Sequence, residues 1–185
     1  MGVSVSAAFA VVNRIDDFAY TPEQNIAHAM TALMAQNKGA GKIDRMKEGF
    51  RCGIILETIY GILIFIICFA LARPLMMMFV KDEEVIGHGV TYLHLISVMY
   101  LLPALTNGIQ GFFRGIGDLK ITLISSFINM ALRVLAAAPL VLIWKMGIEA
   151  LPYSYLAGWI GMLVAETPLL LKTYKTWGKK GETPC

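Results

Sequence analysis

Hydrophobic positions recur along this chain in long runs, and the first of them is interrupted by polar side chains at helical spacing. Between residues 8 and 42, Asn13, Asp17, Thr21, Gln24 and His28 follow one another three or four positions apart. At about 100° per residue they fall within one arc of roughly 80°, with Asp16, Tyr20 and Glu23 beside it. The opposite side carries Val11, Ile15, Phe18, Ala19, Pro22, Ile26, Ala29 and Leu33. The pattern predicts a helix over 8–37 with one wet face and one greasy face.

Four further runs, at 52–72, 92–113, 119–144 and 150–171, are continuous enough to cross a hydrocarbon core, which takes about 20 residues. The expected fold is all-α: a polytopic membrane protein with five transmembrane helices over residues 1–173, followed by a basic tail at 174–185. Composition agrees with a membrane setting. The chain is 57% apolar and 16% charged, with a mean hydropathy of +0.63, whereas soluble domains are about a quarter charged.

The start does not read as a secretory signal. No basic residue precedes its apolar stretch, which runs straight into Asn13, Arg14 and two aspartates. Cys52, Cys68 and Cys185 lie far apart, so neither a disulfide framework nor a metal cluster is indicated. His88 and His94 are six apart, off one another's face, and mark no metal site.

Placement of charge sets an expected orientation, because Lys and Arg concentrate in cytoplasmic connections. One side would hold Lys38, Lys42, Arg45, Lys47 and Arg51, then Arg114 and Lys120, then Lys172, Lys175, Lys179 and Lys180. The other would hold Arg73, Lys81 and Lys145. The 38–51 loop and the tail are therefore expected in the cytoplasm and Met1 outside. An odd number of spans with an outward start is the plan expected of a C-terminal piece.

Arg73-Pro74 is expected to stop the second span, since proline removes a donor and clashes with the preceding turn. Leu75, Met78 and Phe79 then share a face suited to the interface, and Lys81-Asp82-Glu83-Glu84 reads as an exposed outer loop. In the third span Pro103 and Gly108 are expected to bend or loosen the helix.

Ionisable groups within a bilayer are costly and default to functional candidates. Glu57 and Glu166 lie about five residues from the ends of their spans, so they are read as reaching the interface. Asp16, Asp17 and Glu23 lie nearer mid-helix, and only Asp17 has a cationic neighbour at i, i+3, in Arg14. Such a wall favours cations. Candidates for a substrate or ion cavity are Asp16, Asp17, Tyr20, Glu23, Gln24 and His28, joined by Asn107 and Gln110 on one face of the third span. The alternative is a structural lock, in which the carboxylates pair with Arg14 or with Arg133, itself on a stripe with Ser126 and Asn129 in the fourth span. The methionines and Trp144, Trp159 and Trp177 read as packing and interface residues. No Ser/His/Asp grouping, HExxH, GxSxG or dinucleotide loop is present, and nothing resembles a nucleic-acid surface, so an enzyme is not expected.

Two strings remain at expected span ends. They are Gln36-Asn37-Lys38-Gly39-Ala40-Gly41-Lys42 and Gly111-Phe112-Phe113-Arg114-Gly115-Ile116-Gly117-Asp118. By residue type both are turn chemistry, with Gly39, Gly41, Gly115 and Gly117 free to close a helix end. The first is no phosphate loop, because Gln36 and Ile43 stand where that motif needs glycine and a hydroxyl. With Asn13-Arg14-Ile15-Asp16 upstream, the order and spacing of these strings resemble the C-terminal half of the multidrug and toxic compound extrusion (MATE) family, over nearly the whole chain.

That resemblance implies a plasma (inner) membrane protein with twelve spans in two six-helix lobes, of which this chain is similar to the last five. It further implies export of organic cations and drugs against Na⁺ or H⁺ entry, by rocking of one lobe against the other. No cofactor is expected beyond the coupling ion. The expected partners are membrane lipid, small organic cations and a missing N-terminal lobe. Some branches carry a carboxylate on the third span, where this chain has Pro103 and Ala104. Two other readings stay open. One is a lipid-linked oligosaccharide flippase of the same superfamily, against which the acidic first helix speaks. The other is a truncated, non-transporting membrane fragment or scaffold.

Overall fold

The computed structural model describes residues 3–147 and 150–180, with side chains to Thr176. Met1, the side chains of Trp177, Lys179 and Lys180, and the tail end with Cys185 lie outside the described residues. The described chain is all helical: α1 Val3–Gly39, α2 Ile43–Ala70, α3 Ala72–Met77, α4 Glu83–Ser97, α5 Leu101–Gly115, α6 Leu119–Leu142 and α7 Ala150–Lys180. Together α1, α2, the α4–α5 pair, α6 and α7 make five long rods. By length and apolarity α2, α6 and residues 150–176 of α7 can each cross a membrane, and α4 with α5 meets the same requirement only when the two are taken together as one bent pair. The polar face of α1 keeps it below that threshold, although at 37 residues it is long enough to cross at about 1.5 Å per residue.

The bend in the third rod is 48° and lies at Val98–Tyr100, ahead of Pro103. Proline cannot donate to the carbonyl four residues back, here Met99, so the helix restarts with Pro103 in its first turn, where a missing N–H costs little. Short i→i−3 bonds carry the chain around the corner, Met99 N to Ile96 O at 2.9 Å and Leu102 N to Met99 O at 2.9 Å. Gly108, expected to share in the break, is ordinary helix. The rod also begins earlier than its hydropathy suggests. Asp82 caps α4, its side chain accepting from Glu84 N at 2.9 Å and Val85 N at 3.3 Å, so Glu83 and Glu84 form the first helical turn and stay exposed there. Pro74 works similarly: α2 ends at Ala70 and α3 restarts with the proline in its first turn.

Packing divides the rods into α1, α2, α4 and α5 on one side and the α6–α7 pair on the other, joined through α5. The core has two centres. Val12, Ile15, Ala19, Ile86, Tyr92, Leu93, Ile96 and Tyr100 fill one half, and Met34, Met46, Ile109, Phe112 and Phe113 fill the other. Exposed Ile55, Ile59, Leu63 and Ile66 on α2, with Leu123, Phe127, Met130 and Val134 on α6, give the outer surface the character that lipid requires.

The backbones of α1 and α5 approach closely. A Cβ on Gly111 would lie 2.6 Å from Ala27 O, and one on Gly115 would lie 2.6 Å from Thr31 O. Small residues four apart are the usual means of bringing membrane helices this close. Thr31 uses the proximity, donating to Ala27 O at 2.9 Å and Gly111 O at 3.1 Å. Gly115 is thus a contact residue and not the turn glycine expected.

Positive φ belongs to Gly41 and Gly117, at 69° and 81°. Each closes its helix with a six-to-one bond, Lys42 N to Asn37 O and Asp118 N to Phe113 O, both 2.9 Å, as left-handed caps do. Gly39 ends α1 in helical conformation, so it does not share that role.

The cavity and its carboxylates

The buried stripe of α1 runs through Ala8, Val12, Ile15, Asp16, Ala19, Glu23, Ala27, Met30 and Met34. Two acidic residues therefore lie on the packed face, while Asn13, Asp17, Tyr20 and Gln24 occupy the adjacent one. Across from that second face α5, α6 and α7 leave a cavity of about 610 Å³. Its wall combines Asp16, Asp17, Tyr20 and Gln24 of α1 with Asn107 and Gln110 of α5, Asn129 and Arg133 of α6, and Tyr155 and Trp159 of α7. Six of the eight candidate cavity residues thus meet at one space. Glu23 and His28 do not: Glu23 is wholly buried elsewhere, and His28 is exposed beyond the cavity.

Asp16 is held by the Tyr100 hydroxyl, which donates to Oδ1 from the start of α5. Asp17 is open, with 74% of its side chain exposed and Arg14 4.0 Å away. An exposed pair at that distance contributes at most about 1 kcal/mol, so Asp17 is free to meet another cation. Thr21 Oγ1 donates to Asp17 O at 2.6 Å, one residue before Pro22.

Arg133 does not make the carboxylate pairing that the structural-lock alternative would give it. Its guanidinium carbon lies 3.8 Å from the centre of the Tyr155 ring, and among the described residues no carboxylate lies within ion-pair distance of it. Stacking is possible because the residue beneath is Gly158, where a Cβ would sit 2.6 Å from Arg133 Cγ. The cavity therefore presents both signs: carboxylates on α1 and an aromatic-backed cation on α6.

Aromatic lining is the main feature missed in the sequence. Tyr20, Tyr155 and Trp159 form a ring series, edge to face between Tyr155 and Trp159 with centroids 5.9 Å apart and tilted between Tyr20 and Trp159 at 6.4 Å. Trp159, read from the sequence as a packing or interface residue, lines the cavity wall. Its neighbours at i−4 and i+3, Tyr155 and Met162, repeat along one face of α7 and carry that signal.

Two further carboxylates are deeper than expected. Glu57 and Glu166 are both 0% exposed, so neither reaches an interface. Glu57 lies in the stripe Gly53, Glu57, Gly61, whose small residues bring α2 against its neighbours. Glu166 accepts from Gln110 Nε2 at 3.4 Å, which ties it to the cavity floor.

At the end bearing the two glycine caps, Lys38 Nζ donates to Ile116 O. Asn37 Nδ2 donates to Leu33 O at 2.8 Å, Gln36 is exposed, and Arg114 is half-buried. The motif residues are therefore brought together as linked caps, outside the cavity.

Residues 1–138 match the model of the MatE family. The chain is 29% identical over 186 residues to the "Probable multidrug resistance protein YoeA" of Bacillus subtilis (strain 168), covering 97% of this chain and 38% of that protein. It is 24% identical over 163 residues to the "Probable multidrug resistance protein NorM" of Thermotoga maritima, covering 88% and 34%. It thus spans little more than a third of these relatives' length. Among solved structures it superposes on the MATE transporter ClbM in complex with Rb⁺ with a TM-score of 0.85 at 16% identity, over 94% of this chain and 40% of that one. It superposes on an inward-facing multidrug resistance MATE family transporter with a TM-score of 0.76 at 16% identity, over 89% and 37%. At such identity the likeness is one of fold.

Proposed function

This chain belongs to the MatE family, and we propose that it supplies part of a multidrug exporter that moves organic cations out of the cell against entry of Na⁺ or H⁺. The observation that carries the reading is the cavity, where Asp16 and Asp17 face an aromatic wall of Tyr20, Tyr155 and Trp159. Carboxylates supply charge for a cation, and ring faces attract cations independently of their shape. That combination suits ligands that share charge and flatness more than detailed structure. The names of the relatives, multidrug resistance proteins, support the same reading.

In this mechanism the carboxylate side of the cavity takes a cationic ligand. A facing lobe covers the open side, and rocking of the two lobes exposes the cavity to each face of the membrane in turn. The Schellman-type caps at Gly41 and Gly117, joined through Lys38, hold the ends of α1 and α5 together as one body during such a movement. We place the protein in the plasma membrane, with the 38–51 loop and the tail on the cytoplasmic side. A lipid-linked oligosaccharide cargo finds less support, because Arg133 is the one cation lining the cavity among the described residues.

The test is export of a cationic dye by a transporter carrying this chain as its second lobe, compared with its Asp17→Asn variant at matched expression. Export that depends on a Na⁺ or proton gradient and falls in the variant supports the reading. Export indifferent to both rejects it.

A further inference from the structure

A groove of about 360 Å³ lies away from the cavity, where the end of α1 meets the start of α2. Leu33 and Asn37 line it from α1, and Arg45, Glu48, Gly49 and Cys52 from α2. Gly49 lets the two helices meet at its floor, since a Cβ there would run into the Leu33 side chain. Beyond the groove the same side of α2 continues into the apolar part of the span. At about 100° per residue, Arg45, Gly49, Cys52, Leu56, Ile59 and Leu63 fall within an arc of about 80°, and Leu56, Ile59 and Leu63 are exposed. From Cys52 to Leu63 this track is about 16 Å long at 1.5 Å per residue. That is about half of a hydrocarbon core of about 30 Å, the depth of one leaflet.

Positive charge gathers at the mouth of the groove. Lys42, Arg45 and Arg51 are exposed, and none of them pairs with a carboxylate among the described residues. Lys47 differs, with Asp44 4.0 Å away. Glu48 is the one acid lining the groove, so three unpaired cations face one carboxylate. A loop that served only to orient the chain would need its cations in water, with no groove beneath them. Another protein helix is a poor occupant, because an apolar span laid there would bury these cations unpaired. A phospholipid suits both halves of the surface. Its phosphate accepts from a guanidinium, and an acyl chain lies along Leu56, Ile59 and Leu63.

We propose that the groove between α1 and α2 binds an anionic phospholipid of the phosphatidylglycerol type, with its phosphate on Arg45, its headgroup hydroxyls toward Glu48 and one acyl chain along the α2 track. The excess of positive charge selects an anionic lipid over a zwitterionic one, since such headgroups are drawn to clustered Lys and Arg beside a span. Glu48 then acts in recognition, because a carboxylate accepts from the glycerol hydroxyls and repels a bare phosphate. Bound in this way, the lipid ties the 38–51 connection to the membrane surface and covers the seam of α1 with α2. The site lies apart from the cavity and does not depend on export.

The test is the rate of N-ethylmaleimide labelling of Cys52, which lines the groove and is exposed, in the purified, delipidated full chain in dodecyl maltoside micelles, read by peptide mass spectrometry. Phosphatidylglycerol added to the micelles is expected to slow labelling about tenfold at ten times its dissociation constant. Phosphatidylcholine at the same mole fraction, and inorganic phosphate, are expected to leave the rate unchanged. Arg45→Ala is expected to abolish the protection with helical content by circular dichroism unchanged, whereas Lys175→Ala, an exposed cation of α7 outside the groove, keeps it. No slowing by phosphatidylglycerol, or equal loss of protection in the two variants, would overturn the site. Equal protection by phosphatidylcholine would make the groove an unselective apolar surface, and protection by inorganic phosphate alone an ion site; either result rejects the proposal. Repeated in a transporter carrying this chain as its second lobe, labelling that is already slow without lipid and indifferent to Arg45→Ala would show that another helix fills the groove, which also rejects it.

Discussion

Tyr100, the residue at which the third rod turns, donates its hydroxyl to Oδ1 of Asp16 at the edge of the cavity. Both side chains are buried, so the bond joins the bend in α4–α5 to the acidic face of α1. Its removal leaves a buried carboxyl without its donor, which costs about 1–3 kcal/mol. Tyr100→Phe is accordingly expected to lower the melting temperature of the purified chain, whereas Tyr20→Phe, which keeps its edge-to-face ring contact with Tyr100, should leave it near the parent value. Equal melting temperatures for Tyr100→Phe and the parent would show that the contact contributes nothing.

Close approach of α1 and α5 depends on Gly111 and Gly115. Adding a methyl at Gly111 places it against backbone, not against a flexible side chain, so the helices must separate. Overpacking of this kind costs about 1–3 kcal/mol. Gly111→Ala should reduce folded yield, as read by fluorescence size-exclusion of a tagged chain, while Gly87→Ala, which meets nothing within 4 Å, should not. Equal yields would contradict the packing argument.

Arg133 stacks on Tyr155 and lacks a carboxylate partner among the described residues. Arg133→Ala is therefore expected to keep a near-normal yield, because an aromatic contact of this kind contributes about 0.5–1 kcal/mol. Its effect should instead be on substrate range, with cationic dyes exported more readily relative to neutral ones. A severe loss of folded protein would restore the view of Arg133 as an interhelical lock.

Trp159 offers the broadest aromatic surface in the cavity. Trp159→Ala is expected to raise the apparent KM for several unrelated cationic dyes together, by about fivefold to thirtyfold if the ring contributes about 1–2 kcal/mol to each. A change confined to one dye would assign the ring to a specific contact.

The helical plan and the polar face of α1 are visible in the sequence because each is a property of a single helix. Asn13, Asp17 and Gln24 share an arc whatever surrounds them, and all three line the cavity. Properties shared between helices are less visible. Glu57 and Glu166 stand near the ends of apolar runs, yet neighbouring helices cover them completely. The bend at Val98–Tyr100 lies upstream of Pro103 because the missing donor is felt at the carbonyl four residues back. Gly115 resembles a turn residue by its neighbours, Gly117 and Asp118, and only the position of Thr31 on another helix reveals it as a contact. Trp159 reads as an interface residue until α7 is seen to turn that face toward α1.

The central claim is that Asp17, on the open wall of the cavity, meets a cationic substrate. It is tested most directly by cationic-dye efflux from cells stripped of their own exporters, expressing this chain alone and fused behind the N-terminal lobe of a family member. Efflux from the fusion that falls at least about tenfold with Asp17→Asn, a loss of about 1.4 kcal/mol in transition-state binding, is the predicted result. Undiminished efflux by Asp17→Asn at equal expression would contradict the claim and remove Asp17 from the path of the substrate.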